Sequence, residues 1–417
     1  MYEINTLSNG LRIIRERIPF VRSVSVGLWI GTGSMHETPE ESGLSHFLEH
    51  MLFKGTEKRT ARDIAEAMDS IGGHINAFTS KECTCYYAKV MDEHVSIALD
   101  VLSDLALNAT LSEAELNKER SVILEEIAMV EDSPEDLVHD LLTETLFTGN
   151  PLSKPILGTT EKVEHYTRAD LDHYRNTHYQ PHNTVLAVAG NYDPATLDAL
   201  IDQYFGSWKD GEPFIYVPSE KCFSPKAVKR SKDIEQVHLC LGFPGVAMGD
   251  PDVYALSILN GLFGGGMSSR LFQRIREELG MAYAVYSFPT VFPGCGLFTL
   301  YAGTSSQHVE IVLSQLRKET TKLMAEGISE SEFNMAREQL KGSYILGLES
   351  SSSRMSNIGR NLLLLGHVKD EQEVLDKIAA CTIDDVMRVA GDVLLKPHGA
   401  AAVGRDAADI PDDWLIV

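Results

Sequence analysis

The chain has 417 residues, 43% of them hydrophobic, enough for two cores of ordinary size. Asp and Glu number 60 against 37 Lys and Arg, a formal net charge of −23. That balance argues against nucleic acid and anionic membrane surfaces as partners and favours basic ones. The N-terminal stretch MYEINTLSNGLRIIRERI runs straight into a strand–turn–strand pattern without a long apolar run, so a cytoplasmic location without membrane insertion is expected. Six cysteines (83, 85, 222, 240, 295 and 381) show no metal-ligand spacing. Cys83 and Cys85, on one side of a predicted strand, read as packing residues, and a reducing compartment is expected.

Along the chain, Val24, Val26 and Leu28 alternate with Ser25 and Gly27, the period of a strand. The stretch from Met35 to Ser45 is polar and turn-like, with Glu37, Pro39, Glu40, Glu41 and Gly43, and an apolar helix is predicted to follow. Its segment, Gly43 to Phe53, reads GLSHFLEHMLF and contains H-x-x-E-H, the inverse of the zinc-protease signature H-E-x-x-H. Residues four apart lie on one helix face, so His46 and His50 can offer two imidazoles to one metal ion. Glu49 stands beside them, within reach of a metal-bound water. An amphipathic helix with two ordinary histidines is the alternative on the motif alone.

Gly72 to Thr79, a turn at Ser80–Glu82 and the β-rich run Cys83 to Val90 read as a hairpin. Leu111 to Asp132, LSEAELNKERSVILEEIAMVED, has no Pro or Gly and opens with an S-x-x-E capping box, Ser112 with Glu115. Glu119 and Glu126 are two helical turns apart and share a face. Carboxylates on a long helix are usually solvated, yet a zinc site built on the two histidines needs one more protein ligand. The clearest linker is Trp208 to Lys232, with three prolines.

The two halves resemble each other. Val24, Val26 and Leu28 recur as Val237, Leu239 and Leu241; LSEAELNKER at 111–120 recurs as ISESEFNMAR at 328–337; and the segment from Thr167 echoes that from Thr382. Offsets stay within 213 to 217 residues, the mark of a tandem duplication. In this comparison Ala336 stands opposite Glu119 and Ser343 opposite Glu126, and Ala255 to Phe263, opposite the histidines, contains no His or Glu. The chemistry is therefore expected in the first half. Each half reads as strands, then helices, then a further strand, which gives an α+β fold of two homologous domains. Each domain is expected to be a largely antiparallel sheet with helices packed on one face. The expected boundaries are 1–210 for the first, 211–232 for the linker and 233–417 for the second.

These segments resemble the M16 family of zinc metallopeptidases, in the branch of mitochondrial processing peptidase and its bacterial homologues. The likeness is carried by SGLSHFLEHMLFKGT, GGHINAFTSKECTCYY and FGGGMSSRLFQRIREELGMAYAVYSF, and runs essentially end to end. The family places a glutamate ligand well downstream of the histidines, and Glu126 follows His50 by 76 residues, with Glu125 the neighbour one position away. The resemblance implies two domains around a central cavity and one Zn2+ per chain on His46, His50 and Glu126. Glu49 would be the general base, and Glu119 would assist catalysis without binding metal. It further implies that Asn76 and Ala77 lie on an edge strand that takes the substrate peptide as an added strand. Arg276 and Tyr283 match an Arg-x6-Tyr pair that contacts substrate near the scissile bond. Gly264–Gly266 matches a loop linked to substrate handling, or is simply the start of a helix.

The expected function is that of a zinc metalloendopeptidase cutting short or unfolded peptides by Glu-assisted attack of zinc-bound water. Basic peptides would suit the acidic run Glu125, Glu126, Glu131, Asp132, Glu135 and Asp136. Because one chain carries both the metal motif and the Arg/Tyr pair, a homodimer is expected. The alternative is a non-catalytic peptide-binding or assembly subunit of a processing-peptidase-like complex.

Overall fold

The computed structural model describes residues 2–211 and 223–415, so Cys222 and part of the 211–232 linker lie outside the described residues. The chain forms two compact units, each assembled from three segments. The first comprises Met1–Ala128, Lys154–Val217 and Gly347–Val368; the second comprises Met129–Ser153, Pro218–Leu346 and Lys369–Val417.

The first unit is built on six strands: β1 (Tyr2–Thr6), β2 (Arg12–Arg17), β3 (Ser23–Ile30), β4 (His74–Thr79), β5 (Thr84–Met91) and β6 (Thr184–Gly190). Their order is β1-β2-β6-β3-β5-β4. Only β2 and β6 run parallel, and the remaining neighbours are antiparallel. Helices α1 (Leu44–Leu52), α2 (Ala61–Asp69), α3 (Val95–Asn108) and α4 (Glu113–Asp132) follow the early strands. Val24, Val26, Leu28 and Ile30 of β3 join Phe47, Leu48, Leu99 and Leu102 of α1 and α3 in one core.

The alternate residues of β3 do not face water. Ser25, Gly27 and Trp29 meet a helix from the far end of the chain, Ser351–Leu365, through Met355, Ile358 and Leu362. The approach is close: a Cβ on Gly27 would come within 2.3 Å of the Met355 sulfur, and one on Gly359 within 2.4 Å of Trp29 Nε1. Neither position has room for a side chain unless its neighbour moves. Cys83 and Cys85 are buried on this same side.

The second unit repeats the plan with β7 (Ala227–Ser231), β8 (Gln236–Gly245), β9 (Ala282–Phe292), β10 (Cys295–Ser305) and β11 (Gly399–Gly404), ordered β7-β11-β8-β10-β9. This is the order of the first sheet without β1, and again one pair, β7 with β11, is parallel. The duplication read in the sequence is thus present in the topology. Here too the second face takes a helix from the other half of the chain. Helix α5 (Pro134–Leu146) lays Leu142 and Leu146 against Gly242.

The units consequently differ from two uninterrupted halves, because each receives one helix from the other's sequence. A segment's own periodicity specifies an apolar face but not which of two similar sheets it covers. The expected linker also ends in structure, since β7 falls within it. Among the described residues no helix is long and apolar enough to cross a membrane.

Candidate metal centre

The helix that carries the two histidines starts at a tightly fixed point. Gly43 precedes it with φ 95°, a left-handed conformation, and a Cβ there would sit 2.7 Å from the carbonyl oxygen of Leu157. The first N–H groups of a helix have no partner within it. Here Gly43 N–H and Ser45 N–H donate to the two carboxylate oxygens of buried Glu37, each at 2.8 Å. Burial pushes the Glu37 carboxyl up to about 7, against the pull of the two N–H groups and of Lys154.

A carboxyl raised on folding contributes stability that is complete below its unfolded value and is lost as pH rises through its folded one. The stability of Glu37→Gln relative to wild type is therefore expected to improve between about pH 4.5 and about pH 7. Urea unfolding of both proteins across that range checks this, and a difference flat with pH would contradict it.

His46, His50 and Glu126 converge, with one ligand atom from each lying within 4.8 Å of the others. Glu126 Oε2 is 3.6 Å from His46 Nε2 and 3.5 Å from His50 Nε2. Those separations are long for hydrogen bonds but suit ligands sharing one ion. Tetrahedral bonds of about 2.0–2.1 Å place neighbouring donor atoms about 3.3–3.4 Å apart. His46 is buried, and burial followed by the neighbouring His50 pushes its imidazole down to about 3. It is therefore neutral, with its lone pair available, across the physiological range. The set of two imidazoles and a carboxylate fits Zn2+. Glu125, one residue from Glu126, is exposed on the helix.

Around these three stand three further side chains. Glu49 is raised by burial, an effect opposed by a hydrogen bond from the Thr79 hydroxyl to its Oε2. Glu119, buried, places Oε2 3.1 Å from His50 Nδ1. A carboxylate only accepts, so Nδ1 carries the proton and Nε2 faces Glu126. Lys54 Nζ lies 2.8 Å from the other oxygen of Glu119.

The sequence reading assigns no role at this centre to Thr79, Lys54 or Glu37. Lys54 is within reach of such reasoning, since it stands four residues beyond His50. Nothing local marks Glu37 or Thr79. At the start of α4, Ser112 Oγ accepts from Glu115 N–H at 3.4 Å, while the Glu115 carboxylate pairs with Lys118 at 2.6 Å.

Asn76 and Ala77 lie on β4, which pairs with β5 on one side and is the last strand of the sheet on the other. The same strand ends at Thr79, so the edge leads directly to Glu49. Arg276 and Tyr283 belong to the second unit and contact each other, the guanidinium 5.6 Å from the ring centre, with Tyr283 77% exposed. Gly264 ends the helix Val253–Phe263 and approaches Ser287 so closely that a Cβ would fall 2.5 Å from its hydroxyl. Among the described residues, only the first unit gathers three metal-ligating side chains in this way.

Two imidazoles and three carboxylates gathered from two helices, α1 and α4, form the kind of centre that metal-dependent hydrolases use. A family model described as Insulinase (Peptidase family M16) matches residues 12–160, and one described as Peptidase M16 inactive domain matches residues 165–340. The chain is 44% identical over 398 residues to the uncharacterized zinc protease YmxG of Bacillus subtilis, covering 95% of this chain and 97% of that one. It is 41% identical over 413 residues to an uncharacterized zinc protease of Streptomyces coelicolor, covering 96% and 88%. Among solved structures it shares its fold with a protease from Helicobacter pylori, at TM-score 0.91 and 23% identity over 97% of this chain and 99% of that one. The chain belongs to peptidase family M16.

Proposed function

We propose that this protein is a zinc-dependent endopeptidase that cuts short or unfolded peptides, with His46, His50 and Glu126 holding one Zn2+ per chain. The observation that carries this reading is the convergence of those three ligand atoms within 4.8 Å of one another beside Glu49. The names of the Bacillus and Streptomyces relatives agree with it.

A bound zinc ion would supply Lewis acidity, polarising both the attacking water and the scissile carbonyl. Glu49 acts as general base. Its Oε2 accepts from Thr79, which leaves Oε1 to take the proton from the water. Glu119 holds His50 by Nδ1, keeping Nε2 directed at the metal position. The substrate joins the outer edge of β4 at Asn76 and Ala77 as an added strand, drawing affinity from main-chain bonds and so tolerating varied sequences. Arg276 and Tyr283 are assigned to substrate contact, where a guanidinium or phenol is able to grip a carbonyl or steady a developing oxyanion. The acidic surplus of the chain favours basic peptides.

Incubating a mixed set of basic and acidic unstructured peptides with the protein, followed by mass spectrometry, tests the reading. Internal cuts concentrated in the basic peptides are expected. If every peptide stays intact although zinc is bound, the non-catalytic peptide-binding role takes precedence. The working form is a homodimer, and a monomer in solution with full activity would contradict that part.

A further inference from the structure

Glu119 is a buried carboxylate whose two oxygens are engaged by two residues one helical turn apart. Oε2 faces His50 Nδ1 at 3.1 Å, and Oε1 faces Lys54 Nζ at 2.8 Å. Lys54 stands just past the end of α1, its N–H still bonded to the Met51 carbonyl at 3.2 Å, so its backbone is fixed by the helix that presents the histidines. A buried carboxylate held through one oxygen alone can pivot about its side chain, and it lacks compensation for its charge. Three carboxylates, Glu49, Glu119 and Glu126, gather at this centre, and Lys54 brings a cation into contact with one of them.

We infer that Lys54 is a positioning residue for the metal centre, acting through Glu119. By anchoring Oε1 it holds Oε2 in place to accept from His50 Nδ1–H, and that hydrogen bond turns His50 Nε2 toward Glu126. Lys54 touches neither metal nor substrate. The inference rests on the zinc reading above. It gives α1 a double role, since the helix supplies two ligands and its end supplies the residue that orients one of them.

Four variants test it: Lys54→Met, Lys54→Arg, Glu119→Gln and the double Lys54→Met/Glu119→Gln. Zinc affinity is read by competition with a chromogenic chelator, with far-UV circular dichroism to verify folding. Removing a partner beyond the metal ligands typically lowers affinity about 10–100-fold. A loss in that range is expected for Lys54→Met, with most of it recovered in Lys54→Arg. The double variant is expected to bind no more weakly than Glu119→Gln alone, because Lys54 acts only through Glu119. Unchanged affinity in folded Lys54→Met, or losses that multiply in the double variant, would overturn the inference. A wild-type chain that fails to take up zinc at all would overturn the zinc reading itself, an outcome separable from both.

Discussion

Replacing Glu49 with Gln is expected to reduce peptide hydrolysis roughly 10²–10⁴-fold, the usual contribution of a positioned general base, while zinc stays bound. The amide keeps the shape of the carboxylate and can still accept from the Thr79 hydroxyl, so the local geometry survives. What it loses is the basic oxygen. Glu49 lies outside the converging trio of His46, His50 and Glu126, so zinc content is not expected to follow activity down. Parallel measurement of peptide cleavage and of metal content by inductively coupled plasma mass spectrometry separates the two effects. A Glu49→Gln protein that cleaves at the wild-type rate would remove Glu49 from the chemistry.

Glu126→Ala is expected to have the complementary effect, loss of the metal and of activity together. Structural zinc sites with four protein ligands bind with about 10–16 kcal/mol, so one ligand accounts for on the order of 3 kcal/mol, roughly a 10²–10³-fold loss of affinity. Glu125→Ala is the matched control. It removes a neighbouring carboxylate of the same helix that is exposed, and it is expected to retain wild-type zinc affinity. Equilibrium dialysis against a zinc buffer compares the two. Equal losses, or a larger loss for Glu125→Ala, would mean that the carboxylate ligand had been misassigned by one position.

Much of this centre is legible in the sequence because helical spacing maps directly onto geometry. His46 and His50 are four apart and Glu119 and Glu126 seven apart, so two faces are defined before any tertiary contact is known. The alternation of Val24, Val26 and Leu28 likewise marks the side of β3 that packs against α1 and α3, although the other side is buried as well. The contributions of Thr79 and Glu37 come from elsewhere in the first unit: Thr79 reaches Glu49 across thirty positions of sequence, and Glu37 reaches over a loop to the start of α1. No local periodicity encodes such meetings. The exchange of helices is hidden for the same reason, since Leu142 and Leu146 define an apolar face whichever sheet receives it. Gly27 and Gly359 are the nearest thing to a signal. Each is a position where a side chain would strike the other element, but the sequence alone does not pair them.

Anomalous diffraction at the zinc edge, from crystals of the zinc-loaded protein, would locate the ion itself. One peak per chain is expected, bounded by His46 Nε2, His50 Nε2 and Glu126 Oε2, with Glu49 alongside and not bonded to it. A peak at other residues, or none in protein that carries stoichiometric zinc, would contradict the assignment of these three side chains as the metal site.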